Sequence, residues 1–390
     1  MDTLDVVLIV LLVAAAVHGL HLGALTQVLA FGGFVGGLLV GSQIAVAAAP
    51  SIHDAGGRTA VTLLSVLGLA VVLGVVGRML GAWGNGVLRR RHLGSIDAAA
   101  GVVVGVASVL LSAWLLANVV AQAPTGWLGS QIQGSDVLRA VDGVMPPVPG
   151  VIARVEAFLA TPGFPQVFSQ LAPTTAAPVA VPTVSAAEAM AAPATASMVK
   201  VLGQACGYLQ EGSGFVVGPG LVVTNAHVVA GESTTQIEVG TTTYGATPVL
   251  YDPDFDLAVL RTSAPLGPPL ALDPAQVQRG TQGAVLGYPE NGPLSVVPAG
   301  VASVITAVGR DIYNEGQVVR RVYQLDAVVE PGNSGGPVVD ASGEVIGVAF
   351  SRSTVSGDVG YALASPGVLQ RVRQAGTRTQ PVATGACTEG

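Results

Sequence analysis

Charge is what this chain has least of. Asp, Glu, Lys and Arg make up 11% of its 390 residues, against 50% apolar ones, where an average soluble domain carries roughly a quarter charged residues. Aromatics are 5%, there are two cysteines, and lysine occurs once, as Lys200, a scarcity that carries no functional reading of its own. Basic charge is too sparse for a nucleic-acid surface: the formal net charge is −7, and residues 200–390 hold 10 basic and 16 acidic groups, or −6, so nucleic acid is not a partner. The basic cluster Arg89, Arg90, Arg91 and His92 lies between two apolar segments, where it reads as a topology signal.

What is present is long hydrophobic runs, and they are confined to one end. Residues 4–22, 25–49, 59–81 and 98–121 each supply the roughly 20 apolar residues of a bilayer crossing, and lipid leaves such segments no alternative to helix. No basic stretch precedes the first run, which opens on Asp2 and Asp5, so it is expected to be a retained span rather than a cleaved signal. With Arg89 to Arg91 cytoplasmic, the third helix runs inward and the fourth outward. The N-terminus and everything after residue 122 are then extracytoplasmic. The run GGFVGGLLVG sets Gly32, Gly36, Gly33, Gly37 and Gly41 at four-residue spacing, which lets helix backbones approach closely, within the bundle or between copies of the chain. His18, Gln27, Gln43 and Asn118 lie in or near the spans and are expected to make helix-end or interhelical hydrogen bonds. Four short Gly- and Ala-rich spans with an Arg-rich loop before the last resemble the colicin V production protein family over residues 1–160.

Between the halves, residues 135–144 and 150–159 read as short amphipathic helices separated by MPPVPG and TPGFP. Residues 172–198 are Ala, Pro, Thr and Ser with almost no charge, expected as an extended, mobile tether open to proteolysis. The organisation expected is therefore a four-helix transmembrane domain at 1–122, a connector at 123–199 and a globular domain at 200–390.

From Gly207 onward, short β-branched runs such as GFVV, LVVT, VYQLDAVV and EVIGVAF are broken by Gly and Pro, and PGVLQRVRQ alone reads as helix. This is an all-β pattern, a sandwich or a pair of barrels. Within it, EPGNSGGPVV surrounds one serine with three glycines and two prolines. That is either a plain turn or a nucleophile whose neighbouring N–H groups face a substrate. A serine nucleophile needs a base, and the base needs a carboxylate to orient it. Residues 200–390 contain one histidine, His227, at the end of a strand in LVVTNAHVVAG. Asp252, Asp254 and Asp256 compete for the acid in YDPDFDLAVLR, and Asp256 is favoured because it leads directly into the strand DLAVL.

The motifs TNAHVV, DLAVL and GNSGGP, in this order over a two-barrel length, resemble trypsin-like serine proteases, especially the bacterial HtrA branch. The resemblance implies a double β-barrel with Ser334 as nucleophile, His227 as general base and acid, and Asp256 as orienting carboxylate. Gly332 and Ser334 would donate their N–H groups to the oxyanion, and no cofactor or metal is implied. Asn333 stands where digestive members carry an aspartate that pairs with a freshly cut N-terminus, so activation by that route is not expected. No sizeable segment follows the domain where HtrA enzymes carry PDZ modules, so substrate delivery is expected from elsewhere. Val328, six residues before the nucleophile, suggests an apolar or small P1 residue, while nearby Asp326 keeps a basic preference open. Cys206 and Cys387 bracket the domain, and outside the cytoplasm an even pair is expected to form a disulfide.

Along the whole chain the arrangement resembles the acid-resistance membrane serine proteases of mycobacteria and related actinobacteria, which implies periplasmic proteolysis in envelope stress and acid resistance. An ordinary imidazole titrates near pH 6.5, so a histidine base loses its function in acid unless the fold keeps it neutral. Two alternatives stay open: a membrane scaffold or transporter whose outer domain binds peptides, and a sensor whose only substrate is its own tether.

Overall fold

The computed structural model describes residues 2–48, 55–90, 94–121, 127–145, 167, 176–205, 207–353 and 356–388. They fall into two compact units, one within residues 1–160 and one made of residue 167 and those from 176 onward.

The first unit is helical: α1 (Thr3–Leu22), α2 (Ala24–Ala48), α3 (Ala55–Arg90), α4 (Gly94–Ala121), α5 (Trp127–Gly134) and α6 (Asp136–Asp142). The first four are long and apolar enough to cross a membrane. Their outward residues are apolar too: Val10 is 62% exposed, Leu64 73% and Val103 71%. A surface of that kind belongs in hydrocarbon, and the chain is a multi-pass membrane protein. Glycine decides which helices touch. A Cβ at Gly33, Gly37 or Gly41 of α2 would come within 2.1–2.4 Å of the α3 backbone at Leu73, Leu69 and Ser65, whereas one at Gly32 or Gly36 would meet nothing within 4 Å. Three of the five glycines are thus spent on contact inside the chain. Gly19 of α1 and Gly101 of α4 meet backbone to backbone in the same way.

Of the four polar residues noted in or near the spans, Gln27 and His18 make contacts between helices, while Asn118 bonds back within its own helix. Gln27 Nε2 donates to the Gly101 carbonyl at 2.7 Å, Asn118 Nδ2 to Trp114 O at 2.9 Å, and Arg78 Nη2 lies 3.5 Å from His18 Nε2; Gln43 is exposed. Asp2 and Asp5 form a reciprocal capping box on α1. The Asp5 carboxylate also accepts from Ser135 Oγ at 2.6 Å and from the N–H groups of Asp136 and Val137, so α1 fixes the start of α6. The short helix expected near 135–144 is α6, whereas that expected at 150–159 lies outside the described residues, as do Arg91 and His92 of the basic cluster.

The second unit contains two closed six-stranded antiparallel barrels. The first is built from β1 (Met198–Ala205), β2 (Tyr208–Gly218), β3 (Leu221–Thr224), β4 (Glu232–Val239), β5 (Thr242–Asp252) and β6 (Leu257–Arg261), in the order 1-2-3-6-5-4. The second comprises β7 (Gln282–Gly287), β8 (Ser295–Arg310), β9 (Gln317–Asp326), β10 (Pro337–Asp340), β11 (Val345–Arg352) and β12 (Val359–Ala364), in the order 10-11-12-9-8-7. Small and branched side chains fill the interiors: Val199, Val201, Val222, Ile237 and Leu260 in the first, Val285, Tyr323, Leu325 and Ile346 in the second. Closure removes every sheet edge. A terminal helix, α9 (Ser365–Ala375), follows β12.

The expected tether differs from its reading. Residues 176–183 are extended but docked: Arg279 Nη2 donates to the Ala177 carbonyl at 2.8 Å and Val179 N–H to Asp326 Oδ2 at 2.5 Å. Thr183 then caps a helix, α7 (Val184–Ala191), and residues Ala192–Ser197 form a 3-10 turn. Ala187, Ala191 and Ala194 are fully buried in the main core. Small side chains let this backbone pack closely on an existing core, and alanine is the best helix former, so the segment is held where its composition suggests a tether.

Candidate active site

Each candidate residue sits at the end of a strand. His227 lies in a single helical turn, α8 (Ala226–Val229), directly after β3. Asp256 immediately precedes β6, which pairs with β3, and Ser334 follows β9 on the loop into β10.

The pairing of β3 with β6 brings the imidazole and carboxylate together. His227 Nδ1 lies 3.0 and 2.9 Å from the two Asp256 oxygens, and the His227 backbone N–H donates to Oδ1 at 3.0 Å. Asp256 is fully buried and His227 is 9% exposed. A carboxylate facing Nδ1 keeps the proton there and leaves Nε2 with its lone pair, the form a base requires. Of the competing acids, Asp252 caps its own turn through Phe255 N–H and pairs with Arg371 at 2.6 Å, and Asp254 is exposed. Asp256 adopts a left-handed backbone, φ 64°, held by Asn225 Nδ2 donating to its carbonyl at 2.8 Å.

The nucleophile candidate is held through its backbone. Residues 330–333, EPGN, form a turn with Pro at its second position and Gly332 at φ 93° in the third, closed by Asn333 N–H to Glu330 O at 3.0 Å. This is the geometry of a type II turn, which requires glycine there. The neighbouring carbonyls are all engaged. Pro331 O accepts from Glu290 N–H at 2.9 Å, Gly332 O from Ser213 Oγ at 2.6 Å, Asn333 O from Gly336 N–H at 2.9 Å and Ser334 O from Ser213 N–H at 2.8 Å. Because C=O and N–H point oppositely across a trans peptide, anchoring Pro331 O and Asn333 O fixes the N–H groups of Gly332 and Ser334. Neither N–H donates to any described residue.

Ser334 Oγ and His227 Nε2 are likewise buried without a hydrogen-bond partner among the described residues, so the serine–histidine bond is open in this structure; such bonds commonly close only with substrate. A Cβ at Gly335 would lie 3.1 Å from Asn225 N, and one at Gly212 would touch both Val228 and the Ser334 carbonyl. The two halves of the site are therefore immediate neighbours. Asn333 is 1% exposed with neither amide atom partnered among the described residues.

Around this centre, Asp326 accepts Val179 N–H on one carboxylate oxygen, Oδ2, at 2.5 Å. Val328 is 48% exposed. Cys387 packs against Gly231, whose N–H donates to Thr384 O at 3.0 Å; Cys206 lies outside the described residues. The motifs did not point to three supporting residues: Ser213, Asn225, and Gln210, whose amide donates to the His227 carbonyl. Asn225 sits inside TNAH, and Ser213 stands between two glycines in EGSGF, the same small-residue signature that surrounds Ser334. Gln210 carries no such signal.

Comparison with known proteins agrees with this geometry. Residues 212–348 match the trypsin-like peptidase domain family and residues 4–146 the colicin V production protein family. The serine protease Rv3671c of Mycobacterium tuberculosis is 36% identical over 98% of both chains. The crystal structure of that protease in its active form superposes with a TM-score of 0.54 at 37% identity, covering 56% of this chain and 97% of that one. A probable periplasmic DegP-like serine endoprotease of Brucella suis is 38% identical over 40% of this chain and 30% of its own. With an aligned relative spanning both halves and a double barrel that carries the buried imidazole–carboxylate pair, this chain belongs to the family of membrane-bound trypsin-like serine proteases.

Proposed function

We propose that the chain is an extracytoplasmic endopeptidase acting through an acyl-enzyme, with Ser334 as nucleophile, His227 as base and acid, and Asp256 orienting the imidazole. The observation that carries this reading is the pair of unused N–H groups at Gly332 and Ser334 beside a buried histidine whose Nδ1 is already committed to Asp256. His227 Nε2 takes the Ser334 proton as Oγ attacks the scissile carbonyl, and the two N–H groups receive the oxyanion. The imidazolium then protonates the leaving amine, and water repeats the cycle. One such donor contributes about 3 kcal/mol to the transition state.

Substrates are proteins of the cell envelope, with an apolar or small P1 residue beside Val328. Asp326 holds Val179 N–H on one oxygen and retains its charge, so a basic P1 residue is the alternative that a peptide-library digest separates. An extracytoplasmic site follows from Arg89 to Arg91 by the positive-inside rule, and the DegP-like relative is named as periplasmic. Cys206 and Cys387, the two cysteines of the chain, are joined there as a disulfide. A role in envelope stress and acid resistance is part of this proposal; the raised carboxyl of Glu232, about 7 through burial, bears only on how folding stability depends on pH. The test is hydrolysis of labelled casein by the detergent-solubilised chain. Wild type cleaves and Ser334→Ala does not; cleavage that survives Ser334→Ala contradicts the reading.

A further inference from the structure

The peptide that presents Gly332 N–H has one anchor, Glu290 N–H on Pro331 O. Glu290 in turn sits in a bend that the backbone does not adopt willingly. Glu290 (φ 49°, ψ 39°) and Asn291 (φ 56°) are consecutive left-handed residues, and neither is glycine. Such a conformation persists where its surroundings impose it. The two ends of this bend are both tied to the first barrel. Tyr288 N–H donates to Ser213 Oγ at 2.9 Å, and Asn291 O accepts from Lys200 Nζ at 2.9 Å. Lys200 also lies 5.4 Å from the Tyr288 ring centre and 3.7 Å from Glu238.

Lys200 and Ser213 are direct partners in the β1–β2 ladder, so their side chains rise from the same face of the first barrel. Ser213 Oγ does two things at once: it donates to the Gly332 carbonyl and accepts from Tyr288 N–H. The bend and the turn are also packed without slack, because a Cβ on Gly332 would fall 2.4 Å from Tyr288 O and 2.8 Å from Glu290 N.

We propose that Ser213 and Lys200 are positioning residues for catalysis: a cross-strand pair on the first barrel that pins the 288–291 bend of the second and thereby aims Gly332 N–H at the oxyanion. The proposal rests on the oxyanion reading given above. The lone lysine of the chain has this task, which it performs through Asn291 O and the Tyr288 ring. Losing either tie frees the bend to relax, the anchor on Pro331 O weakens, and the Pro331–Gly332 peptide is free to rotate its N–H away. The effect falls on the transition state and not on substrate binding.

The test uses the full chain in detergent, with labelled casein for kcat and KM and a fluorophosphonate for the rate of serine modification. Ser213→Ala lowers kcat about 30- to 100-fold and Lys200→Met about 10-fold, less than the roughly 100- to 1,000-fold of a donor removed outright, because the donor is misaimed and not lost. KM stays within about twofold, and the modification rate falls in parallel with kcat. Lys200→Arg, which can still reach Asn291 O, restores most of the loss. Both lesions act on one bend, so the double variant is little worse than Ser213→Ala. Ser334→Ala, inactive in both assays, marks the reading underneath as sound. If it is inactive while Lys200→Met and Ser213→Ala keep wild-type kcat, the positioning proposal falls alone. A rise in KM without loss of kcat overturns it equally. If wild type is not modified at Ser334, the oxyanion reading and this proposal fall together. Lys200 is partly exposed, its side chain 18% accessible, so its variants remain informative should Ser213→Ala fail to fold.

Discussion

At the scale of single residues, the carboxylate facing His227 lies in a backbone conformation that few residues accept. Asp256 combines φ 64° with complete burial, a left-handed strain of about 1 kcal/mol or more for a residue with a Cβ. Asparagine tolerates that region and matches the shape, so Asp256→Asn isolates the charge. Casein hydrolysis should fall about 10⁴-fold because the wrong histidine tautomer is stabilised, with the melting temperature little changed. Activity within tenfold of wild type would remove Asp256 from the mechanism.

Glu232 follows His227 by five residues and lies against Gly203, with one oxygen bonded to Thr235 at 2.6 Å and the other buried without a partner. Burial raises its carboxyl from 4.5 to about 7, against the lowering effect of the Thr235 hydroxyl. Between those values the folded state binds more protons than the unfolded, so stability falls as pH rises. The stabilisation, of order 3 kcal/mol at full shift, is complete below pH 4.5 and lost as pH passes 7. Melting of wild type should therefore move down between pH 5 and pH 8, and Glu232→Gln should flatten that dependence. A wild-type slope retained in the variant would assign it to other groups. The three candidate residues were legible because TNAHVV, DLAVL and GNSGGP each keep their residues local in sequence, and the structure brings His227 and Asp256 together. The contacts of Ser213 and Lys200 were not, because they arise from a ladder register and an inter-barrel approach that no local pattern encodes.

At the scale of elements, strands and membrane helices were readable from period and length, as was the short helix near 135–144, and residues 176–198 were misread as a mobile tether. Composition alone treats Ala- and Pro-rich sequence as unable to fold. Here the folding comes from outside the segment, as Arg279 and Asp326 satisfy its backbone and Ala187, Ala191 and Ala194 fill the core. Among the membrane helices, the glycine spacing announced close packing without saying which glycines take part. Gly37 faces the α3 backbone, where a Cβ would fall 2.4 Å from Leu69 O, and Gly36 faces open space. Gly37→Val should lower the melting temperature of the detergent-solubilised chain by several degrees, as α2 and α3 separate, while Gly36→Val should leave it within about one degree. Equal effects would mean that helix propensity, which both substitutions alter alike, outweighs packing.

For the molecule as a whole, sequence and structure agree on an apolar helical unit joined to a double-barrel protease unit, and the relative from Mycobacterium tuberculosis shares that order over 98% of its length. Composition made the division visible, since the charge-poor half cannot be stable in water and the other half carries almost all the net charge. The central claim is that the second unit carries an activated serine at position 334. Its most direct test is intact mass of the purified full chain after reaction with a fluorophosphonate at neutral pH, beside Ser334→Ala. The account predicts one adduct on wild type, mapped to Ser334, and none on the variant. A folded wild-type chain that takes up no adduct, or a variant labelled as fast as wild type, would contradict it.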